Sequence, residues 1–320
     1  MSADAPNLSR VEAALARLAE RTQHYAAGAK AQSTQRAYLS DWRDFAAWAE
    51  WRKLDPLPAA PASVALYLTE LAEGGKRSST LQRRRAAIAY AHLAAGFDSP
   101  THSIAVAQVL AGIRREKGAA ARGKTPAVTA DVRAMVRALP GDVRGVRDRA
   151  LLLIGFAGAF RRSELVALDV EDVEECADGL RITQQRGKTD QEGHGRLVGI
   201  PRGDCPDTCP VRAYHAWRHA AGITGGALFR GVSHHNQVLD RLSDKGVARA
   251  IKRAAEAVGL DPARYSGHSL RAGLVTSAAA AGVPDRDIMQ QTGHRRVDTL
   301  YKYIRKGNVF QNNAAGQVGL

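Results

Sequence analysis

Apolar residues recur every three or four positions along most of this chain, which is the spacing of helices that bury one face. In the first third of the chain, breaks rich in glycine and proline separate the periodic segments. Tyr38, Trp42 and Phe45 form an aromatic stripe that we expect to lie in a core. We therefore predict a compact, all-helical domain at residues 1–117, with helices near residues 8–27, 33–53, 61–73, 79–95 and 103–116.

The remainder of the chain mixes helical spacing with short alternating segments. Residues 118–127 are small or charged and lack apolar periodicity, which predicts a linker. Period-two patterns predict strands at residues 168–173, 179–184 and 196–200. Helices are predicted near residues 129–139, 144–157, 210–221, 243–258, 268–281, 285–291 and 297–304. The expected fold is mainly α with a small antiparallel β-sheet, in an α+β second domain at residues 128–320 that ends in a polar tail.

Composition narrows the class of partner. The 320 residues include 46 Lys and Arg against 32 Asp and Glu, a net charge of +14, which predicts a polyanionic partner such as nucleic acid. Three cysteines cannot brace a chain of this size, so a reducing, cytoplasmic setting is expected. The pattern contains no apolar run of about 18 residues, so we expect no membrane span.

The candidate catalytic residues are most concentrated at residues 265–304. His268 and Arg271 are three positions apart at the start of a predicted helix, where exposed amides and the helix dipole also attract anions. His294 follows Gly293, and Tyr303 lies nine positions later. A phenol is a weak nucleophile, but cationic neighbours should make its phenolate easier to reach. This set predicts covalent chemistry on a phosphodiester.

These residues, in this order, resemble the tyrosine recombinase (phage integrase) family. Two further motifs of that family are present upstream: an arginine box, GAFRRSEL, at residues 158–165, and a hairpin lysine in QQRGKTDQ at residues 184–191. The motifs extend over roughly residues 125–310, whereas the N-terminal third matches only in size and helical character. Within the arginine box, the R-x-x-E spacing selects Arg161 over Arg162.

The resemblance implies a site-specific recombinase with a tyrosine-recombinase-type catalytic domain. It would cut and rejoin DNA through a 3′-phosphotyrosyl intermediate, without metal or nucleotide cofactor. The implied roles are nucleophile for Tyr303, phosphate binding for Arg161 and Arg271, general acid for Lys188, base or orienting partner for His268, second phosphate donor for His294, and support for Glu164.

Family resemblance also implies the partners. The N-terminal domain would clamp double-stranded DNA, and four protomers would act on two duplexes, with a monomer expected free in solution and a nucleoid-associated location in the cytoplasm. Basic residues outside the site are either DNA contacts or a solvated surface, and the sequence leaves both open. The candidate contacts are Arg83, Arg84, Arg85, Arg186, Lys245 and Arg249.

Two other functions are compatible with part of this pattern. A type IB topoisomerase uses a similar residue set, and a non-catalytic DNA-binding protein could share the fold. A phosphate-loop pattern at residues 118–125 is rejected because Pro126 disfavours the helix that the pattern must open. A zinc site is also rejected, because the spacing between the Cys and His pairs does not match a zinc finger. That set comprises Cys205, Cys209, His215 and His219.

Overall fold

The structure is a computed structural model that describes residues 21, 30–118, 123–184, 195–298, 300, 301 and 303. The contacts within the chain divide it into two compact units, Met1–Arg122 and Gly123–Leu320. Among the described residues, no helix combines the length and the apolar character that a membrane crossing requires.

The described part of the N-terminal unit is helical: α1 (Gln32–Trp51), α2 (Pro61–Glu73), α3 (Ser78–Ala94) and α4 (Ile104–Lys117). Helix α1 packs on α3, and α2 packs on α4. Phe45 of the predicted aromatic stripe is fully buried, with its ring 5.1 Å from that of Tyr67. The helix predicted at residues 8–27 lies outside the described residues except for Arg21, which is helical.

Capping explains where several helices begin. Ser103 caps α4, because its hydroxyl accepts from the amide of Val106 at 3.3 Å. The helix predicted from residue 79 begins one residue earlier, since α3 starts at Ser78 with Arg77 in the cap position. Proline opens α2 at its first residue, where no intrahelical donor is required.

The second unit contains α5 (Thr129–Ala138), α6 (Val143–Ala157), α7 (Arg162–Ala167), α8 (Pro210–Ala221), α9 (Asp244–Glu256), α10 (Ser269–Ala280) and α11 (Asp285–Thr292). Helix α6 is central, with contacts to α5, α7, α8, α9 and α10. Its apolar run is buried on every side, from Ala150 to Ile154. Residues 297, 298, 300, 301 and 303 are also helical.

Two small antiparallel sheets complete this unit. Strands β1 (Val173–Cys176), β2 (Gly179–Gln184) and β3 (Arg196–Pro201) form one sheet, and β4 (Arg230–Val232) pairs with β5 (Val238–Arg241) in the other. The strand predicted at residues 168–173 is wrong, because Val170–Asp172 forms a 3₁₀ turn and the strand starts at Val173. The segment of the predicted hairpin lysine, residues 184–191, lies outside the described residues except for Gln184.

The segment before α5 lies directly against α10. The amide of Thr125 donates to the carbonyl of Arg264 at 2.8 Å, and the amide of Ala127 donates to that of Ser269 at 2.9 Å. A Cβ atom added to Gly273 would lie 1.7 Å from the carbonyl oxygen of Ala127. Glycine at 273 therefore permits backbone-to-helix contact beside the predicted phosphate-binding arginine.

Candidate active site

The arginine box places one arginine inward and the next outward. Arg161 immediately precedes α7, and its amide donates to Glu164 Oε2 at 2.8 Å. Glu164 Oε1 also accepts from Arg161 Nη1, and the carboxylate is buried, so it orients the guanidinium. Arg162 is about half exposed and pairs with Asp244 at 3.1 Å. The structure thus places Arg161 rather than Arg162 beside the other predicted site residues.

Arg271 on α10 is completely buried. Its Nη1 donates to the carbonyl of Ala159 at 2.7 Å, whereas its Nη2 has no hydrogen-bond partner among the described residues. Burial and the nearby Arg161 lower the pKa of Arg271 to about 10, so the group stays cationic near neutral pH. A buried cationic donor without a partner is costly, which indicates a site that binds an anion.

Tyr303 meets two histidines. Its hydroxyl is hydrogen-bonded to His268 Nε2. The His294 ring stacks on the phenol ring, with centroids 5.9 Å apart and planes inclined by 28°. Leu300 on the same helical segment is fully buried in a small apolar cluster with Val275 of α10 and Ile288 of α11. That cluster holds the tyrosine-bearing segment against the two helices that supply the rest of the site.

Burial controls the acidity of the Tyr303 hydroxyl in the free protein. It raises the pKa of Tyr303 above its ordinary value of 10.0, although Arg271 and Arg161 act in the opposite direction. The cationic neighbours therefore act in the expected direction, but burial outweighs them, so the phenolate is harder to reach than in a free tyrosine while no substrate is bound. The phenol requires a proton acceptor, and His268 Nε2 is in contact with it.

His294 lies just after a left-handed turn at Gly293, whose φ is 68°. Its Nδ1 is 2.9 Å from the Thr292 hydroxyl oxygen. Burial, followed by the charges of Arg271 and Arg161, lowers the pKa of His294 to about 4. The imidazole is therefore neutral near pH 7 while the pocket holds no anion.

Arg196 and Gln291 were not predicted from the sequence as site residues. Arg196 opens β3, and its guanidinium donates to the carbonyl of Gln291 at 2.6 Å and to Gln184 Oε1 at 3.0 Å. The Gln291 side chain donates to the carbonyls of Ala157 at 2.7 Å and Gly199 at 3.0 Å. These bonds join the end of α11, the three-stranded sheet and the end of α6. The sequence signal was weak: one charge at the start of an otherwise apolar strand.

The other predicted residues fall into three groups. Lys188 and Arg186 lie outside the described residues. Lys245 and Arg249 lie on the exposed face of α9. The arginines of α3 have different surroundings: Arg84 is mostly buried against Asp41 and Asp44, Arg83 is more exposed but paired with Asp41, and Arg85 is partly exposed.

The cysteine and histidine set has protein partners of its own. Cys209 is buried and its sulfur accepts from the amide of Gly203 at 3.3 Å. His215 Nε2 lies 2.9 Å from Glu175. Within the described residues, His, Cys, Asp and Glu form no group of three that could hold a metal ion.

The geometry combines a tyrosine hydroxyl, a proton acceptor beside it and cationic donors around one pocket. That combination suits an enzyme that transfers a phosphodiester to a tyrosine. Comparison with known proteins agrees: the phage integrase family model matches residues 128–308, and the model of the N-terminal SAM-like domain of phage integrases matches residues 22–94.

Individual relatives extend the match to almost the whole chain. An integrase/recombinase xerD homolog from Selenomonas ruminantium is 38% identical over 294 residues, which covers 90% of this chain and 86% of the relative. The recombinase cre of Escherichia phage P1 is 26% identical over 293 residues, with coverage of 86% and 84%. The chain therefore belongs to the phage integrase family of tyrosine recombinases, and it is a site-specific DNA recombinase that cuts and rejoins DNA strands.

Solved structures show the same fold. A lambda integrase dimer bound to a COC′ core site aligns with a TM-score of 0.60 at 16% identity, covering 94% of this chain and 81% of that one. The XerH recombinase in a post-cleavage complex with palindromic difH aligns with a TM-score of 0.59 at 15% identity, covering 80% and 72%. The predicted mainly α fold with small antiparallel sheets is confirmed. The comparisons do not favour a topoisomerase or a non-catalytic DNA-binding protein.

Proposed function

We propose that Tyr303 is the nucleophile of this recombinase. Its hydroxyl oxygen attacks the scissile phosphorus, a phosphotyrosyl bond forms at the 3′ end, and the bond to the 5′ oxygen breaks. The observation that carries this proposal is the convergence of Tyr303, His268 and His294 beside Arg271, whose buried Nη2 has no hydrogen-bond partner among the described residues.

Two arginines bind the phosphate in this proposal. Arg271 Nη2 donates to one non-bridging oxygen, which supplies the partner that this buried group lacks. Arg161, oriented by the buried Glu164, donates to the other. Both charges are in place before the reaction, so they stabilise the extra negative charge of the transition state without rearrangement.

The protons move between named groups. His268 Nε2 accepts the Tyr303 proton through their existing contact. Lys188 gives a proton to the leaving 5′ oxygen; it lies outside the described residues, and the support for this role is its position in the sequence. His294 donates to the phosphate. Because the phosphotyrosyl bond conserves the energy of the diester, rejoining reverses cleavage without ATP or metal.

The proposal also covers how the protein binds DNA and how many protomers act together. The helical domain of residues 1–117 and the catalytic domain of residues 128–320, joined by residues 118–127, both bind double-stranded DNA. We also propose contacts to backbone phosphates from Lys245 and Arg249 on α9 and from Arg83 and Arg85 on α3, supported by their exposed or partly exposed positions. Four protomers join two duplexes for integration, excision or resolution, whereas the protein free of DNA is a monomer in the cytoplasm, where it associates with the nucleoid.

A nicked suicide duplex tests the nucleophile, because cleavage releases a short strand and traps the covalent complex. The duplex is first selected from a randomised library by binding to the Tyr303→Phe protein. Wild type and the matched control Tyr301→Phe should form a denaturation-resistant complex, and Tyr303→Phe should bind equally well and trap none. A helix points residues 301 and 303 about 200° apart, so the two cannot share the role. Trapping by Tyr303→Phe but not by Tyr301→Phe would reject the assignment.

A further inference from the structure

Thr292 ends α11 and is completely buried beside the active site. Its hydroxyl oxygen lies 2.7 Å from the carbonyl oxygen of Ile288 and 2.9 Å from His294 Nδ1. A more distant carbonyl, that of Met289, lies 3.4 Å away. The hydroxyl is therefore the link between the backbone of α11 and the ring of His294.

The number of hydrogens on these groups decides the direction of each bond. A carbonyl oxygen can only accept, so the single hydroxyl hydrogen of Thr292 must point to Ile288. The Thr292 oxygen then has only lone pairs left for His294, and Nδ1 must carry a hydrogen that it donates. The opposite arrangement would place two oxygen atoms 2.7 Å apart with no hydrogen between them.

We infer that Thr292 is a positioning residue that fixes neutral His294 with its hydrogen on Nδ1, so that Nε2 carries a lone pair. A lone pair facing a phosphate oxygen is repelled. His294 can therefore donate to the scissile phosphate only after its ring takes up a proton, and DNA binding is linked to proton uptake at this site. The proton uptake on DNA binding rests on the proposed function, whereas the position of the hydrogen on His294 does not.

The charges around the ring explain why the proton arrives with the substrate. Burial opposes a positive charge on His294, and Arg271, Arg161 and Arg196 act in the same direction, as does His268 whenever its own ring is protonated. Near pH 7 the ring in the free protein is thus neutral. A phosphodiester in the pocket offsets these charges and offers an acceptor to Nε2, so one solvent proton binds per occupied site and is released with the DNA.

The hydrogen position is measured directly by NMR on protein labelled with ¹⁵N-histidine and free of DNA. The two ring nitrogens differ in chemical shift according to which one carries the hydrogen, and the His294→Gln spectrum identifies the His294 signals. Wild type and Thr292→Ser should show hydrogen on Nδ1, because both retain the hydroxyl. Thr292→Val should shift the ring towards hydrogen on Nε2. Hydrogen on Nε2 in the wild-type protein overturns the inference, whatever the nucleophile is.

Calorimetric titration with the selected duplex, in two buffers of different ionisation enthalpy, measures the linked proton. Wild type and Thr292→Ser should take up about one proton per site, and Thr292→Val should take up clearly less because its neutral ring can donate from Nε2. Equal uptake by all three proteins, or none by wild type, overturns the proton linkage. All three proteins also carry Tyr303→Phe in this titration, so the duplex stays uncleaved and the uptake reports binding alone, apart from the trapping experiment.

Discussion

Two clusters of arginines, one in each unit, differ in how many carboxylates they meet. In the N-terminal unit, Arg83 lies 2.7 Å from one oxygen of the buried Asp41, and Arg84 Nε lies 3.5 Å from the other. Arg84 also pairs with Asp44 and donates to the hydroxyl of Tyr67. Two cations thus meet two carboxylates, and the cluster is neutral by itself.

The active site is not balanced in this way. Burial lowers the pKa of Arg196 and of Arg271, the nearby Arg161 lowers both further, and the acid that opposes this effect is Glu164. Arg84 Nε and Arg271 Nη2 both lack a hydrogen-bond partner within the described residues, but Arg84 Nε lies 3.5 Å from the carboxylate of Asp41, so its charge is still offset. The comparison shows that burial alone does not identify a ligand-binding arginine. The excess of cations over carboxylates does, because an anion from outside must supply the missing charge.

Replacement of Arg271, which belongs to the cluster with too few carboxylates, should give the largest effect on activity. Arg271→Met should slow covalent trapping by about 1000-fold, because a preorganised donor to the transition state is lost. The melting temperature should stay the same or rise, since the unpartnered charge disappears. Arg181→Met is the control, because Arg181 is half exposed and pairs with Glu174 on the same sheet. A large fall in melting temperature would show that Arg271 is structural.

Replacement of Arg84, which is paired with carboxylates, should instead lower stability. Arg84→Met leaves Asp41 and Asp44 short of a partner, so the N-terminal unit should lose about 3 kcal/mol of unfolding free energy in a denaturant titration. Arg85→Met is the neighbouring control and should change stability by less than about 0.5 kcal/mol. If Arg84→Met keeps full stability but loses DNA affinity, then Arg84 is a DNA contact and the comparison fails.

The smallest effect should be a pH dependence that arises in the active site. His294 has a pKa of about 4 in the folded protein, below its ordinary value of 6.5. The unfolded chain therefore binds more protons between these values, so stability falls as the pH drops through that window and is unaffected above it. From about pH 7 to pH 5.5 the loss should be about 1 kcal/mol. The His294→Gln protein should lack this component, and an unchanged pH profile would contradict the assignment.

The sequence predicted most of the helices, because regular apolar spacing and glycine or proline breaks are local signals. It missed β4 and β5, since no residue of either strand is fully buried and no alternation marks them. Residues 168–173 alternate in polarity, yet the amide of Val170 bonds to the carbonyl of Gly226 and a 3₁₀ turn forms. Contacts with residues distant in the sequence therefore determine the conformation of that segment.

The residues of the candidate active site likewise divide into those that the sequence predicted and those that it did not. The motif order pointed to Arg161, His268, Arg271, His294 and Tyr303, and the structure brings these residues together. Arg196, Gln291 and Thr292 were not foreseen as site residues, because they act through backbone carbonyls or through another side chain. Such contacts leave no spacing pattern. The acidity of Tyr303 was misjudged because the sequence shows neighbouring charges but not the extent of burial.

The close approach at Gly273 bears on how this enzyme tolerates mutation. Helix α10 is positioned by contact with the main chain at Ala127 as well as by its buried side chains. The position of Arg271, two residues away, therefore depends on this backbone contact. A single added methyl group at residue 273 would collide with the Ala127 carbonyl and displace α10, and Arg271 would move with the helix.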